Sequence, residues 1–145
     1  MSATSMELFL KQNQIKKENI KIPVTKAFQD KDGNPLEWEF RPLTSEENDR
    51  IRNQSIVMEQ VPGKRNQQRA RFNSALYIKK MIATCTVWPD LQNASLQDSY
   101  GVNKPEDLVR EMIQIPGEYD ALAEKLQEYN GYTDIEELVD EAKNS

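Results

Sequence analysis

Residues 67–87 read QQRARFNSALYIKKMIATCTV, and the reading of this stretch decides the fold. Phe72, Ala75, Leu76, Ile78, Met81, Ile82 and Cys85 recur at the spacing that lines up one face of an α-helix. The apolar face is broad, so the stretch is expected to be a single central, buried helix. Pro89 cannot continue a helix and ends it.

Working upstream, Thr44-Ser45-Glu46-Glu47 forms a capping box, with Thr44 as N-cap and Glu47 three residues on. Asp49 adds negative charge near that positive helix end. This helix is expected to run to about Met58, with Ile51 and Met58 among its apolar positions, and to stop at Val61-Pro62-Gly63-Lys64. Before it, residues 20–28 place Ile20, Ile22 and Val24 on one face, with Pro23 favouring an edge strand. Leu36, Trp38 and Phe40 then alternate with Glu37 and Glu39. Asp30-Lys31-Asp32-Gly33-Asn34-Pro35 lies between the two runs and is dense in turn formers, so residues 20–41 predict a β-hairpin. A lone hairpin is marginal in water and must pack on something helical. Ser5 is placed to cap a short helix over residues 6–11, read as a docking helix or a frayed tail.

Downstream the pattern is of short helices in series. Residues 95–100 form one, ended by Gly101. Asn103 is the expected cap of residues 104–113, with Pro105 in the first turn, where its missing N–H costs little. Leu108, Val109 and Met112 form its stripe. Pro116 opens the next, carrying Tyr119, Leu122, Ala123, Leu126 and Tyr129, and Asn130-Gly131 stops it. Thr133 and Glu136 make a second capping box for a last helix over residues 135–142.

The expected fold class is therefore α+β and predominantly α-helical: one N-terminal β-hairpin packed against a bundle of about five helices. A single domain over 1–145 is expected, divided into the hairpin at 20–41, a basic helical half at 44–89 and an acidic short-helix half at 90–145. The ends, 1–15 and 143–145, are expected to be disordered.

Charge follows this division. Through Pro89 there are 15 Lys+Arg against 10 Asp+Glu, and from Asp90 onward 4 against 14. The chain has no His and one Cys, Cys85. A Ser–His–Asp or Cys–His arrangement is therefore impossible, and a zinc site lacks its ordinary ligands. No glycine-rich phosphate loop is present. Cys85 sits within an apolar pattern and reads as a buried thiol. Paired carboxylates such as Glu37 with Glu39, or Glu136 with Glu137, read as solvated faces. Asp30-Lys31-Asp32-Gly33-Asn34 hints at a Ca²⁺ loop but lacks the acidic residue an EF-hand needs, so a plain turn is expected. No catalytic residue, cofactor or metal is expected. No apolar run approaches the roughly 20 residues that span a bilayer. The N-terminus lacks a signal-peptide pattern, and the single cysteine suits a reducing, cytoplasmic compartment.

Binding is the remaining class. Lys64, Arg65, Arg69, Arg71, Lys79 and Lys80 form a basic segment with no acidic residue between its ends. Three readings stay open for it: a solvated or intramolecular charged face, a site for an acidic protein partner such as another copy's acidic half, or a phosphate-neutralising surface. The candidate partner-binding residues are Lys64, Arg65, Arg69 and Arg71, with Trp88, Leu108, Met112 and Tyr119 as apolar anchors. Core packing is the competing reading for these last four.

Phe40-Arg41-Pro42-Leu43-Thr44-Ser45-Glu46-Glu47, the run from Asp90-Leu91-Gln92-Asn93 to Ser99-Tyr100-Gly101, and residues 105–112 leading into Ile115-Pro116-Gly117-Glu118-Tyr119 carry a resemblance. They resemble the XkdN-like tail assembly chaperones of phages and prophages of Gram-positive bacteria, over roughly residues 20–132. The resemblance implies a protein of the bacterial host cytoplasm that binds the tape-measure protein and helps recruit tail-tube subunits, without catalysis. It supplies no catalytic or binding residue to carry over. A small nucleic-acid-binding regulator using residues 64–80, and a structural tail component, are the alternatives. A homo-oligomer is a further expectation.

Overall fold

The stretch expected to be one long helix is three elements. The computed structural model describes residues 4–132. In it Gln68–Phe72 is a strand (β4), Ser74–Cys85 a helix (α2) and Thr86–Trp88 another strand (β5). Asn73 makes the first boundary: its side-chain oxygen accepts the Leu76 N–H at 3.0 Å as an N-cap, so the helix starts one residue later. At the other end Thr86 Oγ1 donates to the Ile82 carbonyl at 2.7 Å, and the backbone turns extended into the β-prone Thr86-Val87-Trp88.

The preceding helix is shorter than expected for a similar reason. Helix α1 spans Ser45–Gln54 behind the capping box, with Thr44 Oγ1 accepting the Glu47 N–H at 3.1 Å and Glu47 Oε1 accepting the Thr44 N–H at 3.0 Å. It ends at buried Ser55, whose hydroxyl donates to the Ile51 carbonyl at 2.7 Å. Ile56–Gln60 is then a strand (β3) rather than the last turns of a helix, and it pairs antiparallel with β4. Val61-Pro62-Gly63-Lys64 does stop an element, but as the turn of this hairpin. Lys64 N–H donates to the Val61 carbonyl at 3.1 Å, and Gly63 takes φ +76° after Pro62, as a type II turn requires.

The expected N-terminal hairpin is present: Ile20–Pro23 (β1) pairs antiparallel with Glu37–Phe40 (β2). Ile20 lies opposite Phe40 and Ile22 opposite Trp38, which puts four apolar side chains on one face. Trp38 and Phe40 are buried there. Asp30 organises the loop as a plain turn, its carboxylate accepting the N–H groups of Asp32 and Asn34 at 2.8 and 3.0 Å. Leu36, expected on the core face, precedes the strand and is exposed.

The architecture is mixed α+β, but a single hairpin on a helical bundle is not what forms. Strand β5 joins the first hairpin to make a three-stranded antiparallel sheet in the order β1-β2-β5, and β3-β4 is a separate two-stranded sheet. The former basic helical half thus contains three strands. Residues 6–9 and 11–13 form 3-10 turns, the first with Ser5 accepting the Glu7 N–H at 3.3 Å.

The acidic half folds largely as expected into α3 (Ala94–Ser99), α4 (Pro105–Met112) and α5 (Pro116–Tyr129). Lys104, without a side-chain bond, is the N-cap of α4 in place of Asn103. Asn130 and Gly131, at φ +85°, close α5. The expected helix at 135–142 lies outside the described residues. Helix α2 lies at the centre, packed against α1, α4 and α5, with Tyr77, Met81, Ile82 and Cys85 buried. Leu108, Val109, Ile113 and Leu126 complete the core around it, each such burial worth about 1.5–3 kcal/mol.

A candidate protein-docking arm

Strands β3 and β4 project from the body as a two-stranded arm. Every β4 residue is exposed, and β3 is alternately exposed and half-buried. The register sorts the side chains by face, because directly opposed residues point the same way. Ile56 opposite Phe72 and Met58 opposite Ala70 make one face apolar along its inner part, up to the Gln60–Gln68 pair nearer the tip. Ile56 is 48% exposed, Met58 60% and Phe72 47%, so this face is open to solvent.

The other face is ionic. Val57 lies opposite Arg71 and Glu59 opposite Arg69. The Glu59 carboxylate accepts from Arg69 Nε at 2.8 Å and Arg71 Nε at 2.6 Å, and these two guanidinium groups pull its carboxyl below the ordinary value. Lys64 and Arg65 sit at the exposed tip, with no ion pair to another described residue. The base is anchored: Asn73 N–H donates to the Ser55 carbonyl at 2.8 Å, and the Phe72 ring lies 5.8 Å from that of Tyr77.

The candidate residues are thereby dispersed. Lys64, Arg65, Arg69 and Arg71 come together on the arm. Trp88, 62% exposed, stands on edge strand β5 opposite Glu39. Leu108 and Met112 are core residues, and Tyr119, also largely buried, borders the groove between α2 and α5. The basic segment also separates into two parts. Lys79 Nζ lies 2.6 Å from Asp107 and Lys80 Nζ 3.2 Å from Glu106, both on α4, so these two lysines are held inside the molecule. Sequence reasoning missed Ile56, Met58 and Phe72 as surface residues, taking Met58 and Phe72 for helix core. The available signal was the Pro-Gly turn flanked by Ile-Val-Met and by Arg-Ala-Arg-Phe, a hairpin pattern.

Two grooves border α5. One, of about 610 Å³, runs between α2 and α5, with Leu76, Ile78 and Ala123 among its apolar lining and Asp120 and Glu124 among its polar residues. Arg110 at its side stacks over the Tyr119 ring at 4.4 Å. The other, of about 470 Å³, lies between Ile22-Pro23-Val24 and Ala121-Leu122. Cys85 is wholly buried, and that burial pushes its thiol up to about 11, far from the range of a reactive thiolate. Among the described residues, no His/Cys/Asp/Glu cluster is placed to hold a metal, and no helix is long and apolar enough to cross a membrane.

Fold and arm define a small α+β domain with a projecting, two-faced β-hairpin. Residues 6–143 match the profile of the phage XkdN-like tail assembly chaperone proteins, and the chain belongs to that family. It is 28% identical over 140 residues to the phage-like element PBSX protein XkdN of Bacillus subtilis (strain 168), covering 96% of this chain and 93% of that protein. It is 26% identical over 140 residues, with the same coverage, to the uncharacterized protein YqbN of the same organism. The crystal structure of a protein YqbN has a similar fold, with a TM-score of 0.73 at 20% identity over 91% of this chain and 100% of that one.

Proposed function

We propose that this tail assembly chaperone binds the tape-measure protein and helps bring tail-tube subunits to it, in the cytoplasm of the bacterial host and without chemistry of its own. The observation that carries the reading is the open apolar face of Ile56, Met58 and Phe72 on an arm with a basic tip. Such a face can lie along the apolar stripe of a long helical client. Three half-exposed side chains contribute about 1 kcal/mol each on full burial, which suits a contact that must later release. Lys64 and Arg65 then steer acidic flanks of the client, and Trp88 offers a second, separate anchor.

The nucleic-acid reading is weakened by the ion pairs. Arg69 and Arg71 share Glu59, while Lys79 and Lys80 are held by α4. Lys64 and Arg65 at the tip remain, a small set for neutralising phosphates.

Co-expression with the tape-measure protein tests the proposal. The client should stay in solution and co-purify with the chaperone; a client equally insoluble with and without it sinks the idea. Mass spectrometry of finished particles separates a chaperone, which should be absent, from a structural component.

A further inference from the structure

We infer that in the free protein the arm of one copy docks in the α2/α5 groove of a second copy. A two-stranded ribbon with one open apolar face is marginal in water by itself, and charge indicates what covers it. Residues 56–72 carry Lys64, Arg65, Arg69 and Arg71 against Glu59 alone. Two arms packed face to face would oppose their like charges. Helix α5 has the opposite balance, with Glu118, Asp120, Glu124 and Glu128 against Lys125 alone.

The groove beside α5 matches the arm in both respects. Leu76, Ile78 and Ala123 offer apolar lining, and Asp120 and Glu124 supply negative charge. Two cations also line it: Lys79 is paired with Asp107 at 2.6 Å, and Arg110, over the Tyr119 ring at 4.4 Å, keeps its charge but is outweighed by the two carboxylates. The arm is held at its root, Asn73, which itself borders the groove. Asn73 alone joins β4 to α2, and it is fixed at both ends, its N–H on the Ser55 carbonyl at 2.8 Å and its side chain capping α2 at 3.0 Å. With its own arm so held, the groove is open to another molecule's arm.

The two surfaces differ, so the contact is head-to-tail and repeats into a ring or a chain. It is small and partly ionic, hence reversible and salt-sensitive. Client and groove compete for the same apolar face, so the contact belongs to the client-free protein and does not depend on which client the arm holds.

Charge exchange between two variants of the full chain tests it by sedimentation, with circular dichroism as the fold control. One variant carries Lys64→Glu and Arg65→Glu, the other Asp120→Lys and Glu124→Lys. The wild type should self-associate, its association constant falling at least about tenfold between about 0.05 M and 0.5 M salt. Each variant alone should be monomeric, because its arm and groove then share a sign. Mixed, the two should associate again, because each arm now meets a groove of opposite sign on the other molecule. A wild type monomeric at low salt overturns the inference, including the case in which the chain's own C-terminal segment covers the arm. So does wild-type association by either variant alone, or a mixture that stays monomeric.

Discussion

Lys79 Nζ lies 2.6 Å from Asp107 Oδ1, so the basic and acidic halves of the chain meet within one molecule. Beside it Lys80 reaches Glu106 at 3.2 Å, and together the pairs clamp α2 to α4. The charge division of the sequence is thus partly spent internally. Lys64 and Arg65 at the tip of the arm, and Asp120 and Glu124 on α5, are in no ion pair among the described residues.

The Lys79–Asp107 pair is partly exposed, with side chains 26% and 39% accessible. A double-mutant cycle with Lys79→Ala and Asp107→Ala should give a coupling of about 0.5–1 kcal/mol in urea unfolding, smaller at high salt. Zero coupling at low salt would mean the clamp contributes nothing to the fold.

Glu47 accepts both a forked pair of bonds from Arg41, at 2.9 and 2.7 Å, and the Thr44 N–H of the capping box. The Arg41 guanidinium is the main cause that lowers its carboxyl from 4.5 to about 2. A folded value below the unfolded one stabilises fully above the unfolded value and is lost as pH falls toward the folded one. Glu47→Gln should therefore cost about 1–2 kcal/mol at neutral pH, a figure reduced for solvent at Arg41. The gap to wild type should close as pH drops from 4.5 to about 2 in unfolding curves. A gap independent of pH would contradict the assignment.

Leu108 and Leu126 are wholly buried. Leu108→Ala should lower stability by about 2–5 kcal/mol through the cavity it leaves. Partner binding per folded molecule should be unchanged, which a titration corrected for folded fraction will read. Weakened binding by fully folded Leu108→Ala protein would return this residue to the interface.

Cys85 should resist thiol reagents in the folded protein at mildly alkaline pH, because burial holds it as a thiol near 11. Labelling should proceed at the rate of unfolding and become fast in denaturant. Rapid labelling of the native protein would show that the site opens.

Legibility of the sequence tracked burial. The β1/β2 hairpin was readable because Ile20, Ile22, Trp38 and Phe40 alternate toward a core. The capping box at Thr44 and the breaks at Pro116 and Gly131 were readable because each does a local job that few other residues can do. Residues 56–72 were not, since neither face of the arm is buried and periodicity then carries no inward direction. Phe72 also falls in helical phase with Leu76, which disguised the boundary that Asn73 enforces. The candidate anchors divide by burial, with Trp88 exposed and the other three largely buried. Leu108, Met112 and Tyr119 lie on the core-facing stripes of α4 and α5, and sequence periodicity does not separate such a stripe from a partner-facing one.

The most direct test of the account is client solubility with an altered arm. Ile56→Ser with Met58→Ser removes the outer part of the apolar face while leaving the Phe72–Tyr77 contact and the core intact. Co-expressed with the tape-measure protein, wild type should hold the client in the soluble fraction, and the folded variant should lose at least about tenfold of that binding. A variant that keeps the client soluble as well as wild type would contradict the arm as the docking surface.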